Sequence, residues 1–169
     1  MPITGGYTIN HGDRYAGMVV DAQINNSVSK LNDTGVVIPW GRFVARDGST
    51  KFKAVGIGTV AVDIIGVLRR ELNRAQADGD ADGAPDERDA TVLTTGTIYV
   101  ETLGAVTAGN DVYAVVGATG SPDTPAAKPG IASAAVGAAA TLAVKVPNAK
   151  FLETTSAAGI VAVSLTIGG

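Results

Sequence analysis

The sequence predicts an all-β chain: a small β-barrel or β-sandwich-like core with an extended N-terminal arm and long Gly/Ala-rich loops. Three observations predict it. Residues 90–116, ATVLTTGTIYVETLGAVTAGNDVYAVV, place β-branched side chains in alternation and break them with turn residues. At the C-terminus, GIVAVSLTIGG sets Val161, Val163, Leu165 and Ile167 on one face, opposite Ala162, Ser164 and Thr166, which is the pattern of a half-buried strand. The composition is 46% hydrophobic but 5% aromatic, with 22 glycines, so the interior must be built largely from small side chains between many turns. A core of small side chains stabilises less per residue, which makes oligomerisation an expected supplement. At 169 residues the chain fits an arm at residues 1–14 and a single β-rich domain at residues 15–169.

Taken in order, residues 1–14 are poor in large apolar side chains and contain Gly5, Gly6 and Gly12, which describes an arm that is extended unless something holds it. YAGMVVDA, from Tyr15 to Ala22, is a short apolar run, and SVSKLND, from Ser27 to Asp33, reads as a connecting segment. VVIPWGRFVAR, from Val36 to Arg46, reads as a strand in which Pro39 requires an edge or a bulge and Gly41 marks a bend. The Asp47-Gly48 step signals a turn, after which Lys51 to Val60 resumes alternation. The segment from Ile64 to Arg74, IIGVLRRELNR, reads two ways. Ile65, Leu68 and Leu72 fall at helical spacing among good helix formers, whereas Gly66 and the β-branched Ile64, Ile65 and Val67 favour a strand. An acidic loop at residues 75–89 leads into the 90–116 unit. Residues 117–140 are too poor in large side chains to form a core of their own. Within ASAAVGAAATLA, from Ala132 to Ala143, an Ala-rich helix or a close backbone contact between subunits would both suit the composition, and a short strand is expected from Ala143 to Phe151.

Charge and cysteine content narrow the function classes. With 13 basic and 16 acidic side chains the net charge is −3, without the basic excess that meets phosphates, so no nucleic-acid partner is expected. The distribution is uneven: residues 1–77 carry 9 basic and 6 acidic groups, residues 78–123 carry 1 and 9. A basic first half and an acidic middle are able to meet across subunits, although solvated loops are the ordinary outcome. There is no cysteine, hence no disulfide framework. The start MPITGGYTIN lacks the pattern of a signal peptide, and the uncharged runs at residues 129–144 and 154–169 are too short to span a bilayer, so no membrane partner is expected.

Candidate chemistry is sparse. Asp78, Asp80, Asp82, Asp86 and Asp89, with Gly83 at the bend, have the spacing of a calcium-binding loop. Against it, Asp89 is short for bidentate reach, Pro85 stands where a β-branched residue normally pairs with a second loop, and a strand follows in place of a helix. A solvated acidic loop is the plainer reading. His11 is the single histidine and lies in the arm, so no His-based metal triad forms within one chain. Asp21, Asp33 and Asp63 stand beside turns, where carboxylates cap backbone N–H groups. Gly56-Ile-Gly58 lacks the Lys-Ser/Thr of a phosphate loop. Trp40 is read as a core residue before an interface anchor. No catalytic, cofactor-binding or metal residue is assigned, no cofactor is expected, and the chain is not read as an enzyme.

Several segments, in order, resemble the structural cement (capsid decoration) proteins of tailed bacteriophages. They are Tyr15-Ala-Gly-Met-Val-Val-Asp21, Val28-Ser-Lys-Leu-Asn32 and Val37-Ile-Pro-Trp-Gly-Arg42-Phe-Val44, then Gly66-Val-Leu-Arg69 ahead of a variable loop. Val92-Leu-Thr-Thr-Gly96-Thr-Ile-Tyr-Val100 and Ala105-Val-Thr-Ala-Gly109-Asn-Asp-Val-Tyr113 complete the likeness, which spans about residues 15–116. The resemblance implies a β-barrel subunit, usually a homotrimer, that binds the major capsid protein on the outer surface of the virion, after synthesis in the host cytoplasm. It also makes the segment from Ile64 a strand. The acidic loop and the Ala-rich segment have no counterpart in it. Two other classes stay open: a tail or baseplate structural component, and a calcium-dependent, adhesin-like surface-binding module.

Overall fold

The computed structural model describes residues 14–20, 24–71, 82–116, 130–134 and 143–167. Its strands are β1 (Asn26–Asn32), β2 (Ile38–Pro39), β3 (Phe43–Asp47), β4 (Lys51–Ala54), β5 (Ile64–Leu68), β6 (Gly83–Ala84), β7 (Arg88–Glu101), β8 (Asp111–Val115), β9 (Ala132–Ser133), β10 (Ala143–Phe151) and β11 (Ile160–Thr166). A 3-10 turn at Ala61–Asp63 precedes β5. The all-β expectation holds, and the structure resolves the ambiguous segment from Ile64: it opens as β5, hydrogen-bonded to β3 on one side and β7 on the other. Residues 72–74 of that segment, and residues 1–13 of the expected arm, lie outside the described residues.

Five strands close into a barrel. The order β1-β4-β3-β5-β7 returns from β7 to β1, all pairs antiparallel except the short parallel contact of β1 with β4. Closure pairs most of the strand edges without demanding large side chains. Inside it pack Val44, Phe52, Ile65, Ala90 and Val92, with Ile38, Trp40, Leu68 and Ala84 stopping one end. Trp40 is 4% exposed, so the core reading of this side chain is correct.

The fourteen-residue β7 spans about 45 Å and is shared by two layers. Its first half belongs to the barrel, and its second half starts a sheet in the order β7-β11-β10-β8-β9. A parallel bridge from Thr102 to Ala132 draws the far edge of that sheet back to the end of β7. At the junction Asn26 lies opposite Thr95 and Ser27 opposite Leu93, leaving Thr94 as the extra residue of a bulge. One extra residue reverses the alternation of a strand. Accordingly, odd-numbered Leu93 and even-numbered Ile98 and Val100 all enter the larger core, with Phe43, Val67, Phe151, Val163 and Leu165. β3 alternates between the layers, Val44 pointing into the barrel and Phe43 and Ala45 into the larger core, so all three are buried. Each of these apolar side chains contributes roughly 1.5–3 kcal/mol through burial, less for alanine.

Several local expectations are corrected. The supposed connecting segment from Ser27 to Asp33 is the strand β1; its Ser, Lys and Asn side chains hide a backbone ladder with β7. The single strand expected from Val36 to Arg46 is two, β2 and β3, separated by a tight turn at Trp40-Gly41, where Gly41 has φ +74°. Pro39 sits in the two-residue pairing of β2 with β6, an edge position. Alternation after the Gly48 turn ends at Ala54, and residues 56–59 form a second turn, with the Thr59 N–H donating to the Gly56 carbonyl. Ala132 and Ala143 are strand residues, not helical, while residues 135–142 between them lie outside the described residues. β7 and β8, contiguous in sequence, are not neighbours, since β11 and β10 lie between them.

Candidate interaction surface

Of the carboxylates singled out in the sequence, Asp33, Asp63, Asp82 and Asp86 serve local structure. Asp86 accepts hydrogen bonds from the backbone N–H groups of Thr34 (3.0 Å) and Gly35 (2.8 Å). Asp82 pairs with Arg70 at 2.6 Å. Gly83 is needed for close approach, because a Cβ there would stand 2.4 Å from the Ile38 carbonyl oxygen. Asp89 belongs to β7, opposite Leu31. Asp78 and Asp80 lie outside the described residues, as do His11 and Asp21. Asp33 is ion-paired with Lys51, and Asp63 caps the 3-10 turn by accepting from the Val60 N–H. Among the described residues no group of three or more His, Asp or Glu side chains is placed to hold a metal.

The polar device that the sequence reading missed is Asn32. Fully buried at the end of β1, it directs its amide nitrogen at the carbonyls of Val36, Ala84 and Pro85 (2.9–3.1 Å) and accepts from the Thr34 hydroxyl at 2.8 Å. These bonds tie β1, the 34–36 loop and β6 over the stopped end of the barrel. A buried amide persists only when its donors and acceptor are matched. A second polar group, Arg42, donates to Glu101 at 2.7 Å from a side chain that is 9% exposed. Burial lowers its pKa from the ordinary value, and Glu101 partly offsets that.

Among the described residues, none stops the opposite end of the barrel. A groove of about 660 Å³ lies there, lined by Val28, Val62, Ile65, Pro147 and Ile167, with Lys30 and Arg46 at its rim. Next to it, the connection between β4 and β5 presents Ile57, Val60 and Val62 at 68%, 51% and 76% exposure. A cluster of three large apolar side chains on one short exposed connection is the type of surface that marks an interaction site. Lys30 and Arg46 belong to the basic first half noted in the sequence, but their convergence on one rim needed the β3–β4 hairpin to fold beside β1.

The start of the described chain is held on the far half of β7. The Gly17 N–H donates to the Tyr99 carbonyl, the Tyr99 N–H to Met18 and the Val20 N–H to Thr97 (2.8–3.0 Å), with Val19 bridged antiparallel to Ile98. Arg14 caps this added segment, ion-paired with Glu153 at 2.6 Å and lying 5.2 Å over the Tyr99 ring.

Comparison with known proteins is decisive for this arrangement. The family model described as "Structural cement protein (E217 gp24/Pam3 gp6)" matches residues 3–166. The chain belongs to the structural cement protein family. Membership gives it a structural, capsid-stabilising role and associates it with the virion. Among solved structures, a chain from the one titled "The capsid of Myoviridae Phage XM1" aligns at 24% identity over 90% of each chain, with a TM-score of 0.69. At that identity the likeness carries the fold, a two-layer β body shared with this cement protein. No protein in the curated comparison matches.

Proposed function

We propose that this cement protein seats on the outer surface of the phage head as a homotrimer and clamps neighbouring copies of the major capsid protein, as one body of residues 15–169 with an arm at residues 1–14. The family match across residues 3–166 carries the reading. The physical form supports it: a closed barrel stitched to a second sheet by one long strand presents a rigid contact surface, and its open end carries exposed apolar and basic groups. A clamp repeated over many lattice sites gains avidity from modest individual contacts. The partners are the capsid lattice and further copies of the chain, and the role calls for no enzyme activity, cofactor, nucleic acid or membrane.

The test combines native mass measurement with mixing against expanded heads that lack their decoration. The expected result is a trimer that decorates the heads and raises their resistance to heat. A variant lacking residues 1–12 keeps the fold and decorates less. Rings or tubes with no head binding would move the protein to the tail or baseplate class.

A further inference from the structure

At this end of the barrel, part of one side of β1 has no strand partner among the described residues. β1 pairs with β7 along its whole length, but its other side meets β4 at Leu31 and Asn32 alone among the described residues. There the Leu31 N–H donates to the Thr50 carbonyl, at the point where the β3–β4 hairpin turns away. Successive residues of a strand alternate the direction of their backbone groups, so the N–H and C=O of Ser29 and Ser27 project to the same side as those of Leu31, where the hairpin no longer reaches. Beside this open edge lies the groove of Val28, Val62, Ile65 and Ile167 with its Lys30 and Arg46 rim. An unpaired edge next to an apolar trough is the geometry that receives an added strand: main-chain bonds hold it, and alternate side chains fill the trough.

We propose that this edge and groove receive the N-terminal arm of a second copy of the chain. The proposal rests on the oligomeric reading above and names its contact. Residues 1–13 contain Tyr7 and Ile9 at strand spacing, the adjacent Thr8 facing the other way, and a single acidic side chain, Asp13, with no Lys or Arg to oppose the basic rim. Fully extended they span roughly 40 Å, enough to cross to a neighbour. The direction of the chain at residues 17–20 favours a neighbour over the same chain. Val20, Val19 and Gly17 run antiparallel to β7 opposite Thr97, Ile98 and Tyr99, so the chain read back towards residue 13 moves to the Glu101 end of β7. The groove lies at the Thr94 side, about 17 Å back along the strand. At residues 17–20 each copy therefore runs away from its own groove. Tyr7 and Ile9 of the incoming arm fill the trough, and Thr8 faces the same side as Ser29.

The chain has no cysteine, so a cross-link is clean to read. Thr8→Cys is introduced in one tagged copy and Ser29→Cys in another; the two are co-expressed full-length and oxidised, and native mass is measured in parallel. The expected result is a covalent pair between the two tagged copies, absent when either variant is oxidised alone. A trimer by mass with no such link overturns the arm proposal and leaves the oligomeric reading standing. A link within one chain, in the variant carrying both substitutions, shows the arm folding back and overturns the exchange. A monomer by mass overturns the oligomeric reading itself, and the proposal with it. Val62→Asp, at an exposed position that folding tolerates, is expected to cut the cross-link yield by about tenfold, a loss of roughly 1.4 kcal/mol; an unchanged yield removes the groove from the contact.

Discussion

Gly17 and Gly41 lie backbone against backbone. A Cβ on Gly41 would stand 2.6 Å from the Gly17 nitrogen, and one on Gly17 would stand 2.9 Å from the Gly41 nitrogen; both residues have positive φ, +82° at Gly17 and +74° at Gly41. This contact presses the start of the described chain onto the turn that links β2 to β3. The Gly17 carbonyl accepts from the Arg70 N–H at 2.7 Å, and the Gly41 N–H donates to Leu68 at 2.9 Å, so both glycines are also bonded at the end of β5.

Gly41→Ala must therefore meet both a left-handed backbone and a collision with Ala16 and Gly17. The expected cost is about 3 kcal/mol or more, from roughly 1–2 for the backbone and the rest from overpacking. Gly48→Ala is the control: φ is +70° there, but the added methyl meets nothing within 4 Å, and about 1 kcal/mol is expected. Urea denaturation of the two variants measures both. Equal losses would mean that the close approach contributes nothing.

Arg42 and Glu101 separate the cost of a buried charge from the value of its pair. The guanidinium is buried, one of its nitrogens has no hydrogen-bond partner, and burial outweighs Glu101 in setting its pKa. Arg42→Met is expected to lie within about 1 kcal/mol of the parent, or above it, because the side chain volume is kept and the desolvated charge is gone. Glu101→Gln leaves that charge unmatched and is expected to cost about 1–3 kcal/mol, reduced from the value for a fully buried pair because Glu101 is one-third exposed. A methionine variant as unstable as the glutamine variant would refute the account.

Asp111 bridges Lys145 at 2.6 Å and Lys150 at 2.7 Å across β8 and β10. The hydrogen bonds from Lys145 and Lys150 hold its carboxyl below the ordinary 3.8. A carboxylate whose folded pKa is depressed contributes stability above its unfolded pKa and loses it as pH falls through the lower, folded value. The melting temperature of the parent is thus expected to exceed that of Asp111→Asn at neutral pH and to converge with it as acid is added below 3.8. High salt should narrow the neutral-pH gap, since all three side chains are part-exposed. A gap that persists unchanged at about pH 2 would assign the effect to something other than ionisation.

The elements legible in the sequence were those that bury one face. β11 shows its register in the sequence: Val161, Val163 and Leu165 are buried as expected and Ser164 and Thr166 are not, but Ala162, expected on the open face, is buried too because the start of that face is also covered. The Asp47-Gly48 turn was legible from its chemistry, and Gly41 marked a bend that the structure places between two strands. β1 was not legible. Its side chains at Ser27, Ser29, Lys30 and Asn32 carry no apolar alternation, and the strand is held by backbone bonds whose partners lie about sixty residues away in β7. The segment from Ile64 was ambiguous for a related reason: both of its strand neighbours are remote, and local propensity cannot count them.

The candidate surface was less legible still. Val28, Lys30, Arg46, Val62, Ile65 and Ile167 come from four separate stretches of chain, so no spacing announces the groove. By itself the sequence determined the all-β class, the strands that bury one face, the Asp47-Gly48 turn and the cement family, because alternation, turn chemistry and family motifs are carried by residues near one another. The tertiary structure alone decided which strands pair, that the barrel closes at β1, and that β4 reaches β1 only at Leu31 and Asn32 among the described residues. Those outcomes depend on contacts between distant segments, and β11 and β10 separate β7 from β8 without leaving any mark in residues 88–115.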